Sequence, residues 1–108
     1  MNKKQLVLLV LILFLTISAF AQELAEKYLE QGVACDKHGD IAKAIDYYSK
    51  AIEADSNRVE AYYARAMDYY WIQEYDKAWA DVNKVNGLGT KVRFPEQFIL
   101  DLKSVSNK

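Results

Sequence analysis

The chain repeats itself every 34 residues, and that spacing confines it to architectures in which one small supersecondary unit stacks on another. Offset by 34 positions, Glu26 falls on Glu60, Tyr28 on Tyr62, Gly32 on Ala66, Lys43 on Lys77, Ala44 on Ala78 and Lys50 on Lys84. The apolar positions coincide as well: Ile41 with Tyr75, Ile45 with Trp79, Tyr48 with Val82, and Ala51 with Val85. Few pairs are identical. Size and polarity nevertheless agree along the register, which is the behaviour of positions that pack rather than react.

Each unit reads as two helices. Residues 25–37 form a helix that stops at Gly39, where a positive φ carries no steric penalty. Asp40 caps a second helix with apolar residues at Ile41, Ala44, Ile45, Tyr48 and Ile52, the stripe of an amphipathic helix. Ser56 and Asn57 break it, and Asn57 with Glu60 three residues on predicts a capping box that opens a third helix. The stripe there is Val59, Tyr62, Tyr63, Ala66, Tyr69 and Tyr70. A fourth helix runs from about Tyr75 through Ala78, Trp79, Val82 and Val85 to Gly87-Leu88-Gly89. Small residues mark the crossings, because antiparallel helices joined by a tight turn approach closely only where neither carries bulk. Gly32 against Ala44 is the crossing expected in the first pair, and Ala66 against Ala78 in the second; Tyr28 and Tyr62 fill the open ends. Beyond Gly89 the period is lost. Pro95 suits a first helical position, and Phe98, Ile99 and Leu102 share one side of residues 96–104, predicting a terminal helix that covers the last unit.

On these residues the stretch 25–89 resembles two tandem tetratricopeptide repeats. Tyr28, Gly32, Gly39-Asp40, Ala44-Ile45, Tyr48 and Ala51 carry the likeness in the first. Tyr62, Ala66, Tyr69-Tyr70, Glu74-Tyr75, Ala78 and Lys84 carry it in the second. Gln31 and Arg65 depart from it, standing where the family prefers leucine; Val85 replaces the usual alanine and Ser56 a proline. The resemblance implies an all-α fold of two antiparallel helix pairs plus a C-terminal capping helix, a fragment of a right-handed α-solenoid. Repeats at about 25–58 and 59–89 then lie in a domain of residues 22–89. A linker, the capping helix and a frayed tail occupy 90–108.

The N-terminus has a different character. Residues 6–15 are an unbroken apolar run, LVLLVLILFL, behind Asn2, Lys3 and Lys4. Ala19 and Ala21 supply the small residues of an A-x-A cleavage site, so residues 1–21 read as a signal peptide cut between Ala21 and Gln22. A membrane span needs about 20 apolar residues, roughly twice this run before Thr16 and Ser18 intrude. The alternative is an uncleaved anchor through residues 6–21. No cysteine stands close behind the run, which argues against a lipoprotein leader. Export is therefore expected, to the bacterial periplasm or outside the cell, with no membrane attachment after cleavage.

Composition narrows the function. At 52% hydrophobic and 27% charged, with a single cysteine, the chain is neither disordered nor a disulfide scaffold. Net charge is −1; loss of Lys3 and Lys4 with the leader makes it −3. A weakly acidic domain without a basic run has no electrostatic footprint for nucleic acid. Cys35 and His38, three apart, are the sole thiol and imidazole. His38 stands where the helix ends, no third group orients it, and Cys35 reads as a small core residue. Two soft ligands cannot close a tetrahedral metal site, no phosphate-binding glycine loop occurs, and the carboxylates are expected on solvated faces. No enzyme activity, cofactor or metal is anticipated.

What remains is surface. The resemblance implies that the first helix of each pair lines a concave groove that holds an extended peptide or a partner helix. Carried over residue by residue, the groove positions are Glu26, Leu29, Val33, Asp36 and Lys37, then Glu60, Tyr63, Met67, Tyr70 and Trp71. The second set is unusually aromatic, and tyrosine and tryptophan are favoured anchors of interfaces. Leu29, Val33, Tyr63 and Met67 stand where a carboxylate clamp needs lysine, arginine or asparagine, so contact is expected to be apolar. The expected function is an exported protein–protein interaction module with a protein or peptide partner. The alternative is a self-associating or membrane-anchored structural subunit of an envelope assembly. Two repeats fall short of the three or more usual in a free-standing solenoid, and a homodimer satisfies that shortfall.

Overall fold

The computed structural model describes residues 1–106. Within them the chain is entirely helical and without strands: α1 (Lys3–Lys37), α2 (Ile41–Ala54), α3 (Val59–Trp71), α4 (Tyr75–Gly87) and α5 (Glu96–Ser106). Three-residue to four-residue connections between α1 and α4 force sequential neighbours to pack antiparallel. α1 lies on α2, α2 on α3, α3 on α4, and α5 on the end of α4. The molecule is 62 Å long and 29 by 19 Å across, because α1 alone, at ~1.5 Å per residue, extends for about 52 Å.

α1 starts at Lys3 rather than near Ala25. Neither glycine nor proline interrupts residues 3–31, and Thr16 is accommodated by returning its hydroxyl to the Leu13 carbonyl at 2.8 Å. The apolar N-terminal segment and the first repeat helix are thus one rod. Its apolar part is long and hydrophobic enough to cross a membrane, with a mean hydropathy of 2.3 over 18 residues, none of them buried.

The turns match the sequence in the first pair and strain it in the second. Gly39 has φ +78°, and the Asp40 carboxylate accepts the Lys43 amide at 3.2 Å to cap α2. Thirty-four residues on, Gln73 holds the same left-handed conformation at φ +66°, and Glu74 gives α4 no side-chain cap. The capping box expected from Asn57 and Glu60 does not form. Arg58 is the N-cap residue of α3 and supplies no side-chain cap; Asn57 instead donates its amide to Asp55 Oδ1 at 3.1 Å. Arg58 is drawn away by charge, pairing with Glu26 of α1 and with Glu60.

Small residues dominate the interior. Ala25, Ala44, Ala51, Ala61, Ala66 and Ala78 are all fully buried. One apolar cluster joins Ala66, Ala78 and Val82 to Phe98 and Leu102 of α5. A second joins Ala25, Ala51 and Ala61 at the meeting of α1, α2 and α3. A third gathers Val59, Tyr62 and Val85 under Val92 and Phe94 of the linker. α5 covers the last pair through Phe98 and Leu102, with Ile99 half-buried.

At the first crossing Gly32 faces the Tyr48 ring, and Ala44, one turn before Tyr48 on α2, is fully buried. A Cβ on Gly32 would lie 2.6 Å from Cδ1 of that ring, closer than side chains tolerate. The repeat register explains the pairing. Gly32 and Tyr48 correspond to Ala66 and Val82, so a large ring opposite glycine in the first pair is exchanged for a smaller side chain opposite alanine in the second.

Gly32→Ala is expected to destabilise the fold by about 1–3 kcal/mol by overpacking. Combined with Tyr48→Val it should cost less than the two changes added together, a coupling that urea unfolding of the four proteins measures. Additive losses would mean that the two positions do not share a crossing. Gln73→Gly should raise stability by about 1 kcal/mol by relieving the left-handed backbone, visible as a higher melting temperature.

Candidate partner-binding groove

α3 sets the geometry. Tyr63, Ala64, Met67, Asp68 and Trp71 recur at one, four, five and eight residues from the first, so one face of the helix carries all five. Asp36 at the end of α1 and Ile41 at the start of α2 form the opposite wall, and the groove between them has a volume of about 510 Å³. Trp71 stands at its rim with 73% of its surface exposed, and Met67 is 39% exposed. Tyr63 is half-buried because its ring stacks on Phe94 of the linker, the centroids 4.5 Å apart. Its other side contributes to the groove.

Tyr70 belongs elsewhere. Its ring meets Phe98 edge-on at 5.3 Å and Tyr75 at 6.0 Å, inside the cluster that seats α5. The contiguous patch of Tyr63, Tyr70 and Trp71 expected from the sequence is therefore divided. Asp36 and Tyr70 are equivalent positions, and each faces the helix that comes after its own pair: α3 for Asp36, α5 for Tyr70. α5 occupies the side of α3 where a further repeat would sit.

On α1, Val33 is 39% exposed and Leu29 half-buried against the Ala25–Ala51–Ala61 cluster. With Glu26, Glu30, Ala34 and Lys37 they line a shallower hollow of about 360 Å³. The remaining positions singled out from sequence divide clearly. Gly32, Ala44, Ala66 and Ala78 are buried in the helix contacts, whereas Ala19 and Gln22 are exposed on the continuous α1 and Ala21 is half-buried there. His38 is exposed at the end of α1, and Cys35 is free and half-buried. Among the described residues no three histidine, cysteine or carboxylate groups gather as metal ligands would.

Two carboxylates expected on solvated faces are buried instead: Asp68, 7% exposed, and Asp81, 3% exposed. Asp81 is answered by Arg65, whose Nε and Nη2 donate to its two oxygens at 2.8 Å each, while Nη1 donates to Ser49 Oγ at 3.0 Å. The fork ties α3 to α4 and α2 at the position where the resemblance calls for leucine. Hydrogen bonding to Asp81 raises the Arg65 pKa further, against the opposing effect of burial. Among the described residues no cation pairs with Asp68. Burial, then the neighbouring Asp36 carboxyl, pushes its pKa up to about 8. Tyr48 donates its hydroxyl to Asp36 Oδ2 at 2.5 Å, and burial together with that bond raises the phenol's pKa as well. Asp68 lies seven residues beyond the fully buried Ala61, two helical turns along the same face, a placement that the apolar stripe of α3 does not mark in the sequence.

The arrangement holds no nucleophile beside a base and no oriented imidazole; what it offers is an open, largely apolar trough with half-buried Asp36 and buried Asp68 meeting across it and an indole at its edge. Comparison with known proteins agrees with a repeat of this kind. An uncharacterized protein of Methanocaldococcus jannaschii is 33% identical over 54 residues, a match that covers 50% of this chain and 63% of that protein. The chain thus spans less than two thirds of that relative's length. Residues 25–58, the later part of α1 with all of α2 and the turn after it, match the tetratricopeptide repeat, and the helix pair they form supports a module for protein–protein interaction.

Proposed function

We propose that this chain is an exported interaction module that holds a peptide or a partner helix in the groove between α1 and α3. The observation that carries the reading is Trp71. A tryptophan 73% exposed, at the rim of a trough lined by Ile41, Tyr63 and Met67, is an anchor of the kind that supplies much of an interface's free energy. The wall is apolar and the floor acidic, without an arginine or lysine among the lining residues, which favours an apolar or amphipathic segment over an acidic tail. Removal of residues 1–21 by a signal peptidase places the module outside the cytoplasm in this reading.

A second reading rests on the unbroken helix α1. Left uncut, its apolar half is long enough to span a membrane, and the repeats then stand on the end of that span as a subunit of an envelope assembly.

The groove is tested by a double change, Met67→Ser with Trp71→Ser, that leaves Tyr70 in the α5 joint. Capture of partner from an envelope extract, or self-association in sedimentation, should fall by tenfold or more, since losing an anchor costs about 2 kcal/mol, while far-UV circular dichroism stays unchanged. Undiminished binding would move the partner to another face. The two readings of the N-terminus separate by sequencing the exported protein: Gln22 as first residue supports cleavage, and an intact N-terminus on membrane-bound chain supports the anchor.

A further inference from the structure

We propose that the joint between the two helix pairs is closed by a single proton held between Asp36 and Asp68, so that the floor of the groove is a pH-sensitive latch. Asp36 comes from α1 and Asp68 from α3, the first helices of the two pairs. Tyr48 of α2 occupies Asp36 Oδ2. That leaves Asp36 Oδ1 and Asp68 Oδ2, both sealed from solvent and both without a donor among the described residues. Ionised carboxylates only accept hydrogen bonds, so two of them cannot satisfy each other. One added proton converts the pair into a carboxyl donor and a carboxylate acceptor, and both orphaned oxygens are accounted for at once.

The surroundings hold the proton in place. From α1 the groups facing the pair are Asp36 and Cys35, and from α2 the Tyr48 phenol. Asp81 of α4 is bound by Arg65 of α3, and neither acts on Asp68, whose carboxyl responds to burial and to Asp36 alone. A cation from solution cannot replace the proton, because the two oxygens have no exposed surface to reach. Packing does not demand acids here either. Their equivalents 34 residues on are Tyr70 and Leu102, and both lie in the apolar cluster at the joint between α3 and α5. The first joint has acquired titration where the second has oil.

Linkage sets the direction of the effect. The Asp68 carboxyl ionises near its ordinary value of 3.8 in the unfolded chain and at about 8 in the folded one. Between those values the folded state keeps a proton that the unfolded state has released. Stability is therefore greatest at acid pH and falls as pH rises, by up to about tenfold in the folding equilibrium per pH unit, levelling off above the folded value. A second negative charge then sits in the joint beneath Tyr63 and Met67 and loosens the groove.

Urea unfolding of the full chain in detergent, monitored by tryptophan fluorescence from about pH 5 to about pH 9, tests the latch against Asp68→Asn, whose amide donates permanently and does not titrate. The wild-type midpoint should fall across the range relative to the variant, the two lying closest at acid pH and furthest apart at alkaline pH. Parallel curves would overturn the proposal. Should the variant fail to fold, nuclear magnetic resonance of the aspartate carboxyl carbons in the wild type decides it. One carboxyl should titrate several pH units above the rest, and the absence of such a resonance would overturn the latch.

Discussion

Helices in this chain meet at glycine and alanine, and everything else in the structure is arranged around that close approach. Six alanines are wholly removed from solvent, and the largest side chains buried almost as completely among the described residues are Tyr48, Leu102, Val82 and Val85. Alanine adds little apolar area to the core, so transfer from water stabilises each contact modestly. Its benefit is distance: backbones come close enough for the neighbouring large side chains to touch both helices, and alanine loses no rotamer freedom in doing so. A core built this way has little slack. The exchange of Gly32 and Tyr48 for Ala66 and Val82 shows two solutions to one spatial constraint, reached by moving volume from one helix to its partner.

The polar interior has a different logic. Arg65 and Asp81 form a geometrically complete pair, with both carboxylate oxygens and a third partner on α2 engaged. Such a pair fixes the relative position of three helices more than it adds net stability, since desolvation offsets much of the attraction. Asp36 and Asp68 are incomplete without a proton. Both arrangements meet on α3, where Arg65 and Asp68 stand three residues apart, one answering Asp81 and Ser49 and the other facing Asp36, so α3 is the element through which both act.

Much of the fold was legible because local chemistry and repeat register agreed. Gly39 and Asp40 mark their turn by a backbone preference and a cap, and the structure uses both. Phe98 and Leu102 share a helical face that the last helix pair, α3 with α4, covers. Where expectation and structure part, the deciding contact came from another helix. Asn57 is a good cap in isolation, but the pull of Glu26 on Arg58 fixes how the chain enters α3. Tyr70 and Trp71 are adjacent and chemically alike, yet about 100° of helical rotation separates them; that rotation sends one under α5 and the other into water. The start of α1 at Lys3 is not legible in the repeat register, because the apolar run before residue 25 favours helix as well and no glycine or proline separates the two. Asp68 and Asp81 were assigned to solvent by residue type alone, and their burial depends on partners 32 and 16 residues away in the chain.

Because α1 is continuous, scission after Ala21 would turn the middle of a helix into its beginning and free the amide hydrogens of four residues at once. Ordinarily that frays the first turn. Here Glu23 falls within the new first turn and Glu26 just beyond it, where negative charge is favoured by the helix dipole, and Glu26 is also tied to Arg58 across the domain. Acids that have no such role in the middle of the intact rod would become end-stabilising groups if the rod were shortened there, so a cut at that point would leave the first repeat with a charge-stabilised beginning.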